Sequence, residues 1–130
     1  MQELRNKSQY KGLKKIYYST KYSVDGLVYA YKNERSLWLH ATLTLIAVCL
    51  GIIFRIRLSE WSMLLISLGA VLSIELLNTA IEAVVDMITL EIHPLAKIAK
   101  DCGSAATFIA SIISIIIAGV IFIPKVLVLF

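Results

Sequence analysis

Glu75-Leu-Leu-Asn-Thr-Ala-Ile-Glu-Ala-Val-Val-Asp86 places three carboxylates at the end of a long apolar run, where burying charge is expensive. As a helix turning about 100° per residue, this stretch brings Glu75, Thr79, Glu82 and Asp86 within roughly 40° of one line, with Asn78 beside them. The rise from Glu75 to Asp86 is about 16 Å. One helix face therefore carries a ladder of anionic oxygens that starts inside an apolar layer and ends in water. The run leading into it begins at Trp61 and holds no charge before Glu75, and its helical pattern continues to about Thr89. From Trp61 to Thr89 the helix measures about 42 Å, against about 30 Å for a hydrocarbon core. Counting about 20 residues from Trp61 sets the boundary near Ala80, so Glu75 lies a turn or two inside while Glu82 and Asp86 emerge.

Working outward from this span, Ser36 to Phe54 is a second apolar run long enough to cross a bilayer, preceded by a polar hinge at Asn33-Glu34-Arg35. Arg55-Ile-Arg57-Leu-Ser-Glu60 makes a tight outer turn between the two. On the other side, Leu90 to Asp101 is polar enough to be a cytoplasmic connection, with Pro94 ending the helix or starting a short one and Asp101 capping the next. Cys102 to Ile123 is then the third span, closed by Pro124 and Lys125 on the outer side. Before the first span, Leu13, Ile16, Tyr17, Thr20, Val24, Leu27, Val28 and Tyr31 recur on one helical face, with lysines on the others. All six tyrosines lie between Tyr10 and Tyr31, which suits a helix in the headgroup layer, acting as an anchor or as a lid over a site. Gly12 and Gly26 are points where it can bend. The expected fold is an all-α membrane protein in a single domain over 1–130: a surface helix at about 10–32 and transmembrane helices at about 36–54, 61–89 and 102–123.

Composition agrees. Of 130 residues, 58% are hydrophobic and the mean hydropathy is +0.79, more apolar than a soluble domain of this size requires. Eight of the 13 Lys and Arg precede Ser36, which puts the N-terminus in the cytoplasm and, after three spans, the C-terminus outside. No soluble domain presents those basic residues to nucleic acid, so anionic lipid is their expected attractor. Met1 to Lys15 has no apolar h-region, which argues against a cleaved signal peptide. Cys49 and Cys102 have no metal-like spacing and read as reduced packing residues. Ala106, Ala110, Ser114 and Ala118 form a stripe of small residues that lets helices approach closely. His40 reads as a neutral imidazole bonded to a neighbouring helix in preference to a metal ligand, because no second ligand is spaced nearby.

The ladder permits chemistry. A carboxylate at Glu75 is partly desolvated, which raises its affinity for a proton and suits it to deprotonate an alcohol at the membrane surface; the alternative is a protonated or paired glutamate that holds helices together. Glu82 and Asp86, with Glu34 at the end of the first span, can gather around a hard cation such as Mg²⁺, which bridges carboxylates to phosphates. Lys100 precedes the expected N-terminus of the third span, where helix N–H groups favour anions; simple anchoring is the other reading for Lys97 and Lys100. There is no Walker A sequence, kinase Gly-rich loop or HExxH motif.

Three segments taken together, Asn33-Glu34-Arg35, Glu75 to Asp86, and His93-Pro-Leu-Ala-Lys-Ile-Ala-Lys100-Asp101, resemble in order and spacing the small integral-membrane prokaryotic diacylglycerol kinases and their Gram-positive undecaprenol kinase relatives. The resemblance implies a homotrimer in the bacterial plasma membrane, with composite sites between subunits, that uses ATP and Mg²⁺ to phosphorylate a lipid hydroxyl. It implies Glu75 as general base with Asn78 of the signature. Metal ligation falls to Glu34 and Glu82. Nucleotide contacts are implied for Tyr22, Glu34, Glu82, Asp86, Glu91, His93, Lys100 and Asp101. On the lipid side stand Glu75, Ser104 and Trp38, the last two residues before His40 at a place where many relatives carry Arg.

Lys100-Asp-Cys-Gly-Ser-Ala-Ala106 is similar to the diacylglycerol-using branch, whereas His93-Pro-Leu-Ala-Lys and the later Ile-Pro-Lys are similar to the Gram-positive one. The expected acceptor is undecaprenol, with diacylglycerol the alternative. A non-catalytic scaffold or a proton-conducting assembly built on Glu75 is the reading from another class.

Overall fold

A computed structural model describes residues 10–88, 91 and 93–128. They form four helices, α1 (Leu13–Asn33), α2 (Arg35–Ile53), α3 (Leu58–Ile88) and α4 (Pro94–Leu127), and no strand is found among them. The last three are each long and apolar enough to cross a membrane. α3 is the most enclosed: 33% of its most apolar stretch is buried, against 11% for α2 and 17% for α4. Large apolar side chains such as Ile52, Ile66, Ile115 and Val120 are exposed on the outer faces, where a soluble protein would carry charge.

The hinge falls where the sequence predicts it. Glu34 is extended (φ −110°, ψ 115°) between α1 and α2. Trp38 pins the joint from the α2 side: its indole N–H donates to the Tyr31 carbonyl at 2.7 Å, and its ring meets Tyr31 edge-on at 5.3 Å. Gly12, at φ 60°, precedes α1 in a left-handed conformation open to glycine, whereas Gly26 sits within an uninterrupted helix.

At the far end of α2 the turn closes in a Schellman arrangement. The Ile56 N–H donates to the Gly51 carbonyl at 3.1 Å and the Arg55 N–H to that of Ile52 at 3.2 Å. Arg55 takes the left-handed position (φ 48°), at a cost of roughly 1–2 kcal/mol for a residue with a Cβ. The turn drives Ile56 into a core with Leu64, Leu68 and Ile121. Gly51 makes room there, since a Cβ would lie 2.8 Å from the Trp61 ring. Trp61, where the long apolar run begins, is partly buried against this core.

Glu60 fastens the same end. It accepts from the Arg57 backbone N–H at 2.7 Å, as a capping glutamate does for the start of a helix, and from Lys125 Nζ of α4 at 3.0 Å. Its side chain is 9% exposed. Glu60→Ala is expected to lower the thermal unfolding midpoint in detergent, and Glu60→Gln, which keeps an acceptor for the Arg57 N–H but loses the ion pair, to lower it less. A midpoint for Glu60→Ala equal to wild type would show that the cluster does not hold these helix ends together.

α4 departs from expectation at both ends. It starts at Pro94, not at Cys102, because His93 caps it, with its Nδ1 accepting from the Leu95 N–H at 3.2 Å, and Pro suits the first helical position. Asp101 therefore caps nothing and instead pairs with Lys97 one turn earlier. At the other end Pro124 lies inside the helix, which runs on to Leu127. The buried residues of α4 are Gly103, Thr107, Ser114 and Ile121; of the small-residue stripe, Ser114 is buried, Ala110 and Ala118 are half-buried, and Ala106 is exposed. Cys49 and Cys102 are free as read, but exposed on the helix surfaces instead of packed.

Candidate functional site

Towards the opposite end of the bundle from Glu60, the hinge, α2, α3 and α4 surround a cleft of about 380 Å³. The hinge contributes Glu34, α2 Ser36 and His40, and α3 Glu75, Asn78 and Glu82; Ser104, Thr107, Phe108 and Ser111 come from α4. Helical spacing explains the α3 group, since residues three and four apart share a face. Burial along that face is graded: Glu75 is 4% exposed, Thr79 is buried, Glu82 half-buried and Asp86 exposed. Thr79 bonds back to its own helix, donating to the Glu75 carbonyl at 3.1 Å.

Asn78 of α3 packs against α4 at Gly103. Its amide Nδ2 donates to Glu82 Oε1 at 3.0 Å, which fixes one carboxylate oxygen, and its Oδ1 is buried with no partner. The amide fits only because position 103 is glycine: a Cβ there would lie 2.2 Å from Asn78 Oδ1. Gly103 was not singled out in the sequence, where nothing marks which residue of α4 meets Asn78. A second buried oxygen without a partner is Thr107 Oγ1, in a residue 8% exposed. An unsatisfied buried group of this kind costs about 1–3 kcal/mol, so each of these two oxygens calls for an explanation.

The antiparallel register of α3 and α4 is set by Asn78 against Gly103 and by Ser114 Oγ donating to Ser67 Oγ at 3.4 Å. By that register Thr107 stands level with Glu75.

Beyond the mouth of the cleft, Lys100 Nζ donates to Asp86 Oδ1 at 2.5 Å. Lys100 is thus in the second turn of α4, not ahead of its N-terminus, and its pairing with Asp86 takes the place of the expected anion site at a helix start.

Other residues named from the sequence lie elsewhere. His93 lines a separate cleft with Val85, Ile88 and Leu95. Tyr22 is half-buried on α1, and Glu91 is exposed in the connection before α4. Trp38, 61% exposed and engaged with Tyr31, is not among the residues lining the cleft that holds Glu75.

Among the described residues no group of three or more His, Cys, Asp or Glu side chains is gathered to hold a metal unaided. Glu34 and Glu82 nevertheless line one cleft, with Asn78 between them and α4. Mg²⁺ commonly takes one or two carboxylates and completes its shell with water and phosphate, so this all-oxygen set fits it.

Comparison with known proteins matches residues 21–122 to the family described as prokaryotic diacylglycerol kinase. The chain is similar to an undecaprenol kinase of Bacillus subtilis, 40% identical over 94 residues, 72% of this chain and 76% of the relative. It is similar to a diacylglycerol kinase of Haemophilus influenzae, 40% identical over 112 residues, 85% of this chain and 95% of the relative. A diacylglycerol kinase of Pseudomonas aeruginosa is 38% identical over 99 residues, 76% of this chain and 80% of the relative.

Proposed function

The chain belongs to the prokaryotic diacylglycerol kinase family, and on that premise we propose that this integral-membrane lipid kinase transfers the γ-phosphoryl group of ATP, with Mg²⁺, to the hydroxyl of undecaprenol. The observation that carries the reading is the graded face of α3. It holds a buried Glu75 and a half-buried, amide-bonded Glu82 in one cleft, so that an apolar acceptor and a hydrated nucleotide can approach from opposite ends.

Glu75 takes the acceptor's proton as its oxygen attacks the γ-phosphorus and ADP leaves, while Glu34 and Glu82 hold the metal that neutralises phosphate charge. Lys100, paired with Asp86 beyond the mouth of the cleft, would meet the phosphates from α4. A proton-conducting assembly needs the acidic ladder alone, and a scaffold needs neither Lys100 nor the Asn78–Glu82 bond; the full set supports a kinase.

Undecaprenol is favoured by His93-Pro-Leu-Ala-Lys and Ile123-Pro-Lys, and the likeness to the Bacillus subtilis protein is consistent with it. Diacylglycerol is the second reading, favoured by Lys100-Asp-Cys-Gly-Ser-Ala-Ala106 and by relatives bearing that name. The N-terminus lies in the bacterial cytoplasm and the C-terminus outside. Three copies assemble, and the apolar outer faces of α2 and α4 are available for that contact. The test supplies Mg-ATP with each lipid, then both in competition, to detergent-purified protein and follows labelled phosphate into lipid. Transfer to neither lipid would end the kinase reading.

Gly103→Ala is expected to push the Asn78 amide off Glu82 and to lower turnover about tenfold, the worth of one charge-assisted hydrogen bond. In an Asn78→Ala background the same substitution should change little further. Equal effects in both backgrounds would show that Gly103 does not act through Asn78.

A further inference from the structure

Hydroxyls in membrane helices usually satisfy themselves on the carbonyl four residues earlier, and several here do so. Thr42 donates to Trp38, Thr79 to Glu75 and Ser111 to Thr107 itself. Thr107 does not: its Oγ1 is buried without a partner although the residue is more than nine-tenths enclosed and lines the cleft. The α3–α4 register puts it level with Glu75, deeper than the Asn78–Glu82 pair. A donor at that depth lies farther in than the hydrated nucleotide end and shares both level and cleft with the carboxylate proposed to receive the acceptor's proton.

We propose that Thr107 is an acceptor-contacting residue whose hydroxyl donates a hydrogen bond to the oxygen of the lipid alcohol that reacts. This deepens the lipid-kinase reading and rests on it. The geometry of an alcohol oxygen accommodates the assignment. Its hydrogen goes to Glu75, one lone pair attacks the γ-phosphorus, and the second lone pair accepts from Thr107. The acceptor oxygen is then held on both α3 and α4, and the orphaned Thr107 hydroxyl is satisfied only when lipid is bound. In the transfer, the O–P bond forms, the bond from the γ-phosphorus to the ADP oxygen breaks, and the alcohol proton passes to Glu75. Thr107 keeps its own proton throughout, so it positions the nucleophile without being consumed.

The test measures kcat and KM for lipid and for Mg-ATP in wild type, Thr107→Val and Thr107→Ser, in detergent, with undecaprenol and with a diacylglycerol as the lipids. Valine keeps the shape and removes the donor, so kcat/KM for the lipid that wild type uses should fall about tenfold with KM for Mg-ATP unchanged, and serine should restore most of it. Thermal midpoints measured alongside confirm that each variant is folded. A folded Thr107→Val enzyme with wild-type kcat/KM for lipid overturns the proposal, as does a loss that falls on Mg-ATP equally or that serine does not repair. If wild type itself phosphorylates neither lipid, the kinase reading fails, and the proposal, which rests on it, fails too; activity in wild type with no effect of valine sinks the Thr107 assignment alone.

Discussion

Glu75→Gln is expected to bind Mg-ATP as wild type does and to transfer phosphate to lipid about 10² to 10⁴ times more slowly, the contribution of a positioned acid–base group. The reasoning starts from burial. Glu75 is 4% exposed in a cleft that also holds the Asn78–Glu82 pair, and glutamine matches its size, so the packing of α3 against α4 survives. The amide cannot accept a proton from the acceptor. A helix-pairing role predicts the opposite pattern, with unfolding or loss of assembly and little specific effect on chemistry. Transfer rate and nucleotide affinity measured on the same folded sample separate the two. A Glu75→Gln protein with wild-type turnover would remove Glu75 from the mechanism.

Glu82→Gln probes the wet end of the same face. Glutamine keeps the oxygen that accepts from Asn78 Nδ2 and loses only the charge, so the local bond survives while the cation loses a ligand. Apparent affinity for Mg-ATP at limiting Mg²⁺ is expected to weaken by at least roughly 10- to 100-fold, the loss typical even of an outer-shell partner of a metal. Raising Mg²⁺ should recover part of it. Nucleotide titrations at two Mg²⁺ concentrations give the answer, and an affinity insensitive to the substitution at low Mg²⁺ would clear Glu82 of metal binding.

The elements visible in the sequence were those governed by hydropathy and helical period. The long α3, the Glu34 hinge and the decline in burial from Glu75 to Asp86 follow from where apolar residues stop, which is a property of one chain segment read alone. The start of α4 was misplaced because Lys97, Lys100 and Asp101 look like connection when counted by polarity, yet a helix emerging from a membrane carries such residues without ending. His93 before Pro94 was the local signal for the true start.

What could not be read was the pairing of α3 with α4. Gly103 opposite Asn78, Ser114 on Ser67 and Lys125 on Glu60 depend on register between helices, which periodicity within one helix does not encode. Thr107 belongs to this group: an unremarkable threonine in an apolar run until its depth beside Glu75 is known.

The continuity of α4 from His93's cap to beyond Pro124 has a further implication for how such a protein can vary. Glu75 and Glu82 are two turns apart on one rigid rod, and Thr107 and Lys100 are two turns apart on the other, about 10 Å in each case. On the proposed assignment, the gap between the greasy and the wet substrate is therefore gauged by helical rise, with no loop to lengthen or shorten. A single inserted residue between either pair would swing its partner by about 100° and leave one end of the cleft facing lipid. Diversification towards new acceptors is confined to exchanging side chains at fixed heights, and insertions are pushed out to the hinge at Glu34 and the connection before His93.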